Sequence, residues 1–128
     1  MKQETHLLID PKLVGVVTEL GEGRARAALE TTREMCADAR GLVHGGFTFA
    51  LADFAVMCAV NEPNVVLGSA SVRFLKPVTV GRTMAAEAVI VNAEGKKRVA
   101  EVYVTVDDAR IFEGTMTAFV LPKHVLDM

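Results

Sequence analysis

Asp53 is the only charged side chain between His44 and Glu62, in a run otherwise built mostly from Ala, Phe, Leu, Val and Met. A carboxylate in such surroundings has two readings. It can be a structural group, satisfied by backbone donors or by Ser and Thr hydroxyls of a neighbouring sheet. It can instead be a chemical group that attacks an electrophilic carbon or activates water. The pair Gly45-Gly46 bears on the choice. At the start of a helix the first N–H groups have no intrahelical partner and point, with the positive end of the dipole, at whatever lies before them. Glycine there lets a ligand come close to the backbone. A carboxylate and donors for a developing oxyanion are two parts that cleavage of an acyl bond requires. His44, just ahead of the pair, is a candidate general base; an imidazole at a helix start more often shapes the loop or holds a carbonyl, and we assign it to positioning.

The elements that must carry these groups follow from patterning. Residues 45 to 60 lack strand alternation, and their length and Ala, Leu and Met content predict a helix. It is apolar almost all round, so it must be surrounded by protein. Thr48, Ala52, Ala55 and Ala59 line one small-residue stripe; Gly46, Phe49, Asp53, Val56 and Val60 share another, so Asp53 faces one defined direction. Beyond Glu62-Pro63-Asn64 the segments 65–75, 83–91, 98–106 and 110–120 are rich in Val, Thr and aromatic residues and read as strands. In the third, Ala100, Val102, Val104 and Val106 alternate with Val99, Glu101, Tyr103 and Thr105, which predicts one buried face and one partly wet. Before the helix, residues 1–12 read as a short helix or lead-in ending near Pro11, residues 14–20 and 24–32 as a hairpin turning at Gly21-Glu-Gly23, and residues 33–43 as a loop. Short connections between the four late strands predict an antiparallel sheet wrapped around the one helix, an α+β fold in a single domain over residues 1–128.

Composition narrows the class of function. The chain has 128 residues, of which 51% are hydrophobic, carries a net charge of −2 and contains no Trp. That length suits one domain with one core. Charges of both signs are scattered, so nothing favours nucleic acid or a membrane surface as a partner. Two cysteines, Cys36 and Cys58, are too few for a disulfide framework and are read as reduced. The start has polar and acidic residues where a signal peptide needs an apolar run, and no stretch reaches membrane-spanning length, which points to the cytoplasm. His6, His44 and His124 are scattered without Cys or carboxylate at ligand spacing, so no metal is expected.

Val43-His-Gly-Gly46, then Leu51-Ala-Asp53, then Ser71-Val-Arg-Phe-Leu-Lys-Pro-Val-Thr-Val-Gly81 resemble the hotdog-fold acyl-CoA thioesterases of the phenylacetate-pathway type, over about residues 15 to 120. The resemblance implies a long helix held in a curved antiparallel sheet, subunits that pair their sheets side by side, often as a dimer of dimers, and an acyl-CoA as the small-molecule substrate with no other cofactor. It implies that Asp53 is nucleophile or general base and that the Gly45 amide polarises the thioester carbonyl. Geometry leads to the same assembly: at about 1.5 Å per residue Gly45 and Asp53 lie roughly 12 Å apart along one helix, too far for one thioester to touch both. A two-fold homodimer with antiparallel helices sets Asp53 of one chain opposite Gly45 of the other.

Around this centre Gly46, Phe47, Ser69 and Ser71 are candidate substrate-binding residues, Phe47 as acyl-pocket wall or simple core and the serines as hydrogen-bond donors or plain edge polarity. Lys76, Arg82 and Lys96 to Arg98 are either solvated surface or contacts for coenzyme A phosphates. Asp38 stands where many such enzymes carry Asn six residues before the His; it either adds a second carboxylate to the site or turns outward with Arg40. Two other functions fit the same fold: a non-catalytic acyl-CoA-binding or sensing domain, and a dehydratase acting on acyl-carrier protein. The second lacks its expected His-Phe-Pro-Gly-like start to the helix.

Overall fold

The apolar run forms one helix with the bounds its pattern predicts. In the computed structural model, which describes all 128 residues, α1 spans Pro11–Val14 and α2 spans Gly45–Val60. The strands are β1 Val16–Gly21, β2 Arg24–Glu30, β3 Val65–Phe74, β4 Thr83–Glu94, β5 Lys97–Val106 and β6 Ala109–Val120. Short 3-10 turns lie at Arg33–Met35 and Val125–Asp127. α2 stops where Asn61 takes a left-handed conformation with φ 54° and its N–H reaches the Met57 carbonyl at 2.8 Å. Asn tolerates that conformation at a helix end, and Pro63 blocks continuation.

The six strands form one antiparallel sheet in the order β1-β2-β4-β5-β6-β3. The inner faces of β2, β4 and β5 carry Ala25, Ala27, Ala86, Ala88 and Ala100, all buried. Small side chains there let α2 lie close against the sheet, which it meets mainly through β4, β2 and β5. The expected small-residue stripe of Thr48, Ala52, Ala55 and Ala59 is buried along its length, and the Thr48 hydroxyl touches Met84 Sδ on β4 at 3.3 Å. In β5 the predicted alternation holds, with Ala100, Val102 and Val104 buried and Glu101 exposed.

The structure decides three points. Of the two readings of residues 1–12 the lead-in holds: residues 1–10 run as an irregular arm, and Pro11 opens α1, the first-turn position where its missing N–H costs nothing. β4 continues through Asn92-Ala-Glu94, read as a separator in the sequence, because a register shift between Ile90 and Asn92 absorbs the break in pattern. Finally, the strand order, left open by the pattern, puts β3 at the edge beyond β6. The one neighbour of β3 is β6, paired from Val65↔Val120 to Phe74↔Phe112, so the chain runs from α2 to the far edge and crosses back to the middle of the sheet. The crossing segment is not idle: Val78 C=O accepts from Val43 N–H, and Val80 N–H donates to Gly41 C=O, both at 2.9 Å. It thereby fastens the loop that delivers the start of α2.

Candidate functional site

The start of α2 is built from the loop upward. Asp38 closes that loop, its Oδ1 accepting from Arg40 N–H at 2.9 Å and Leu42 N–H at 3.3 Å. Asp38 is therefore spent on the backbone, exposed, and its partner in Arg40 is the amide and not the guanidinium. Next, His44 N–H donates to Met35 C=O at 2.8 Å and His44 C=O accepts from Phe47 N–H at 3.0 Å. The imidazole makes no capping bond. It lies over Gly46, where an added Cβ would meet ring atoms at 2.9 and 3.0 Å, and stands edge-on to Phe47 with ring centres 6.3 Å apart. The ring thus packs against the glycine pair and Phe47.

The N–H groups of Gly45 and Gly46 have no acceptor in the chain. They are the free donors of the helix start. A Cβ on Gly45 would meet the Phe74 ring at 3.2 Å. Beside it lies a cavity of about 200 Å³ whose walls include Val43, Gly45, Thr48, Phe74, Lys76 and Ile111. Gly45, whose backbone donor is unoccupied, and Lys76 both line it.

Asp53 sits two turns further along α2. Its neighbours Ala52 and Phe54 are buried, it is itself partly buried, and its Oδ1 has no hydrogen-bond partner. The structural reading, in which backbone or hydroxyl donors satisfy the carboxylate, has no donor to point to on this oxygen. Burial pushes its carboxyl above the ordinary value near 3.8, and the charge of His6 pulls it back in part. Burial holds the His6 imidazole below 6.5 while the Asp53 charge raises it.

Within one chain the structure brings together His44, Gly45, Gly46 and Phe47 at the helix start, with Phe74 across from them, and leaves Asp53 on its own further down the helix. The spacing of Gly45 and Asp53 on one continuous helix stands as read, about 12 Å at 1.5 Å per residue. Ser69 and Ser71 sit elsewhere. They pair with Thr117 and Thr115, and Ser71 lines an open hollow with Arg73, Tyr103 and Arg110 on the outer face, away from α2. It is Phe74, on the inner face of the same strand, that meets the site. Sequence reasoning passed over both Phe74 and His6; the strand's inner register (Ala70, Val72, Phe74) signals the first, and nothing in the local pattern signals the second.

Residues 39–112 match the sequence profile of the MaoC-like domain. The chain is 52% identical to the uncharacterized protein PH1136 from Pyrococcus horikoshii, whose crystal structure agrees with a TM-score of 0.98 over 99% of this chain and 98% of that one. It is 32% identical to the phenylacetic acid degradation protein PaaI from Thermus thermophilus, with a TM-score of 0.77 over 85% of this chain and 95% of that one. Over 114 residues it is 46% identical to the methylthioribose-1-phosphate isomerase of Aquifex aeolicus, a match that covers 89% of this chain and 25% of that protein. Over 125 residues it is 25% identical to the transcription factor FapR of a Thermoanaerobacter species, covering 97% of this chain and 62% of FapR. The chain thus spans between a quarter and about three fifths of the length of these two curated relatives. The fold and family resemblance drawn from His44-Gly-Gly46, Asp53 and the strands after them is borne out.

Proposed function

Since the chain belongs to the MaoC-like domain family and its fold is the hotdog, we propose that it is a cytoplasmic acyl-CoA thioesterase that works as a homodimer with two shared sites. The observation that carries this reading is Asp53. A partly buried carboxylate with one oxygen unpartnered costs stability, and a residue kept at such a cost fits chemistry better than packing. Asp53 attacks the thioester carbonyl directly or takes a proton from the attacking water. The new C–O bond forms as the carbonyl electrons move onto oxygen, where the Gly45 N–H of the partner subunit receives the charge. The C–S bond then breaks: where Asp53 has activated water, it returns that proton to sulfur and coenzyme A leaves as the thiol with the free acid formed directly; where Asp53 has attacked, coenzyme A leaves as the thiolate, and water hydrolyses the resulting acyl–Asp53 anhydride, releasing the acid, restoring the carboxylate and supplying the proton for the thiol.

The need for two subunits comes from the helix itself, because the donors at its start and the carboxylate two turns on cannot serve one carbonyl. The free edge of β3 and the exposed apolar side chains of Leu42, Phe74 and Leu75 beside the helix start suit a second copy of the chain as their cover. Two inactive variants, Asp53→Asn and Gly45→Pro, test the arrangement. Random exchange gives half heterodimers, each with one intact site of two, so a 1:1 mixture should recover about one quarter of wild-type turnover. No recovery after confirmed exchange rules out shared sites.

The activity is tested by thiol release from short, medium, long and aryl acyl-CoAs, comparing wild type with Asp53→Asn. A loss of about a hundredfold or more in a folded variant assigns the chemistry to the carboxylate. The second reading is a non-catalytic acyl-CoA-binding or sensing domain, favoured by similarity to a protein named as a transcription factor and not as an enzyme. Tight binding of an acyl-CoA with no turnover by the wild type would select it.

A further inference from the structure

The outer face of the sheet, turned away from α2, carries a row of side chains whose order is set by the register. Glu19 pairs with Arg26, Arg26 with Glu87, Glu87 with Tyr103, Tyr103 with Glu113, and Glu113 with Arg73. The row therefore crosses the whole sheet from β1 to β3 as acid, base, acid, phenol, acid, base. Most of its members hold one another. Arg26 reaches Glu19 at 3.3 Å and Glu87 at 3.0 Å, and Tyr103 Oη donates to Glu87 at 2.6 Å. Arg110 lies over the Tyr103 ring, 4.2 Å from its centre, and reaches Glu113 at 3.3 Å. Arg73, on the edge strand, is exposed and has no acidic partner in the chain.

Turned end for end, the row is its own complement: Glu19 meets Arg73, Arg26 meets Glu113, and Glu87 meets Tyr103. The flanking rows, reversed in the same way, oppose no like charges. In one, register joins Arg24, Val89, Glu101 and Thr115, so that Arg24 meets Thr115 and Val89 meets Glu101. In the other, Ala28 meets Arg110 and Ala85 meets Thr105. Composition points the same way. In these rows every cation is an arginine, the chain's one tyrosine stands at the middle, and Val89 is 40% exposed between them. Contact surfaces between proteins are enriched in Arg and Tyr and depleted in Lys.

We propose that this face is a contact between two copies of the chain, stacked sheet on sheet about a two-fold axis that runs along the strands between β4 and β5. That axis reverses the row. An axis across the strands would instead set Glu87 on Glu87 and Arg26 on Arg26, which like-charge repulsion opposes. Facing sheets lie about 10 Å apart, a gap that Arg and Glu extended from both sides can span. The contact is isologous, so each facing pair occurs twice. Where chains also pair side by side through β3, it joins two such pairs. It lies across the sheet from α2 and rests on none of the chemistry proposed for Asp53.

Light-scattering mass of the full chain, at one fixed concentration in low salt, tests this. Arg73→Glu sets a carboxylate against Glu19, and Glu19→Arg sets a guanidinium against Arg73. Both positions are exposed, so circular dichroism should be unchanged. Each variant alone should have half the wild-type mass. Mixed 1:1, the two supply each other with opposite charges at both positions, and the wild-type mass should return. A wild type that is monomeric, or a folded variant that keeps the wild-type mass, overturns the contact. A mixture that stays at half mass overturns the two-fold match, because a loss caused by either substitution on its own chain would not be repaired by the other variant.

Discussion

Replacing Asp53 by Ala should make the protein more stable while it abolishes turnover. Oδ1 is buried without a partner, and an unsatisfied buried polar group costs about 1–3 kcal/mol. Ala also gains about 0.5 kcal/mol in helix propensity over Asp. Little packing is lost, because the carboxylate is small and partly exposed, so the net gain at neutral pH should be on the order of 2 kcal/mol, or about 6–10 °C in Tm for a chain of this size. The pH dependence supplies a stricter check. Burial raises the folded carboxyl above its ordinary value near 3.8, so between those two values the folded state binds more protons than the unfolded one. Wild-type stability is then greatest below the unfolded value and falls as pH rises through the folded one. The Ala variant lacks that fall, so the stability difference between the two should widen from acid toward neutral pH. Urea unfolding at a series of pH values and one fixed protein concentration measures this. A variant that is destabilised at pH 7, or a difference that does not change with pH, would refute the argument that this carboxylate is held against its own stability.

Gly45→Pro should delete the amide donor while keeping the helix, since Pro is favoured at the first helical position and His44, with ψ 130°, already has the extended backbone a following Pro requires; circular dichroism should be unchanged and kcat down by about a hundredfold to a thousandfold. Cys58 is buried, which pushes its thiol up to about 12, so a thiol reagent at pH 8 should label the partly exposed Cys36 in the native protein and reach Cys58 only after unfolding; equal native rates would contradict that burial. Gly114→Ala should cost about 3 kcal/mol in urea unfolding, because its Cβ would lie 2.4 Å from the Ser71 carbonyl oxygen and 2.7 Å from Val72 Cα, atoms of the backbone that cannot move aside.

Legibility in the sequence followed the range of the physics. Residues 45–60 were bounded correctly because a sixteen-residue apolar run with Gly at one end and Asn-Glu-Pro at the other states its own limits. The β5 faces were equally plain, because alternation is a local property. Strand order was not, since the choice between β4 and β6 as the neighbour of β3 depends on where a crossing segment packs. For the same reason Ser69 and Ser71 were assigned to the site while their strand turns them to the outer face and gives Phe74 to the inner one. The free donors at His44-Gly45-Gly46 were readable because a helix start is a local feature of the chain. His6 was not, because its ring meets Phe54 on α2 only once Asn61 has captured the arm.

The pairing of β3 with β6 also sets a schedule for synthesis. Phe74 at the end of β3 must wait for Val120 at the end of β6 before its strand has its full neighbour, and at ribosomal speeds of about 5–20 residues per second that interval lasts several seconds. Through that time β1, β2, β4 and β5 can assemble around α2 in the order they emerge, while β3 stays an unpaired, Val-rich segment with both edges open. The nascent chain is most exposed to aggregation or to chaperone capture in this window, and substitutions in β6 that leave the finished protein stable would still lower its yield by lengthening the wait.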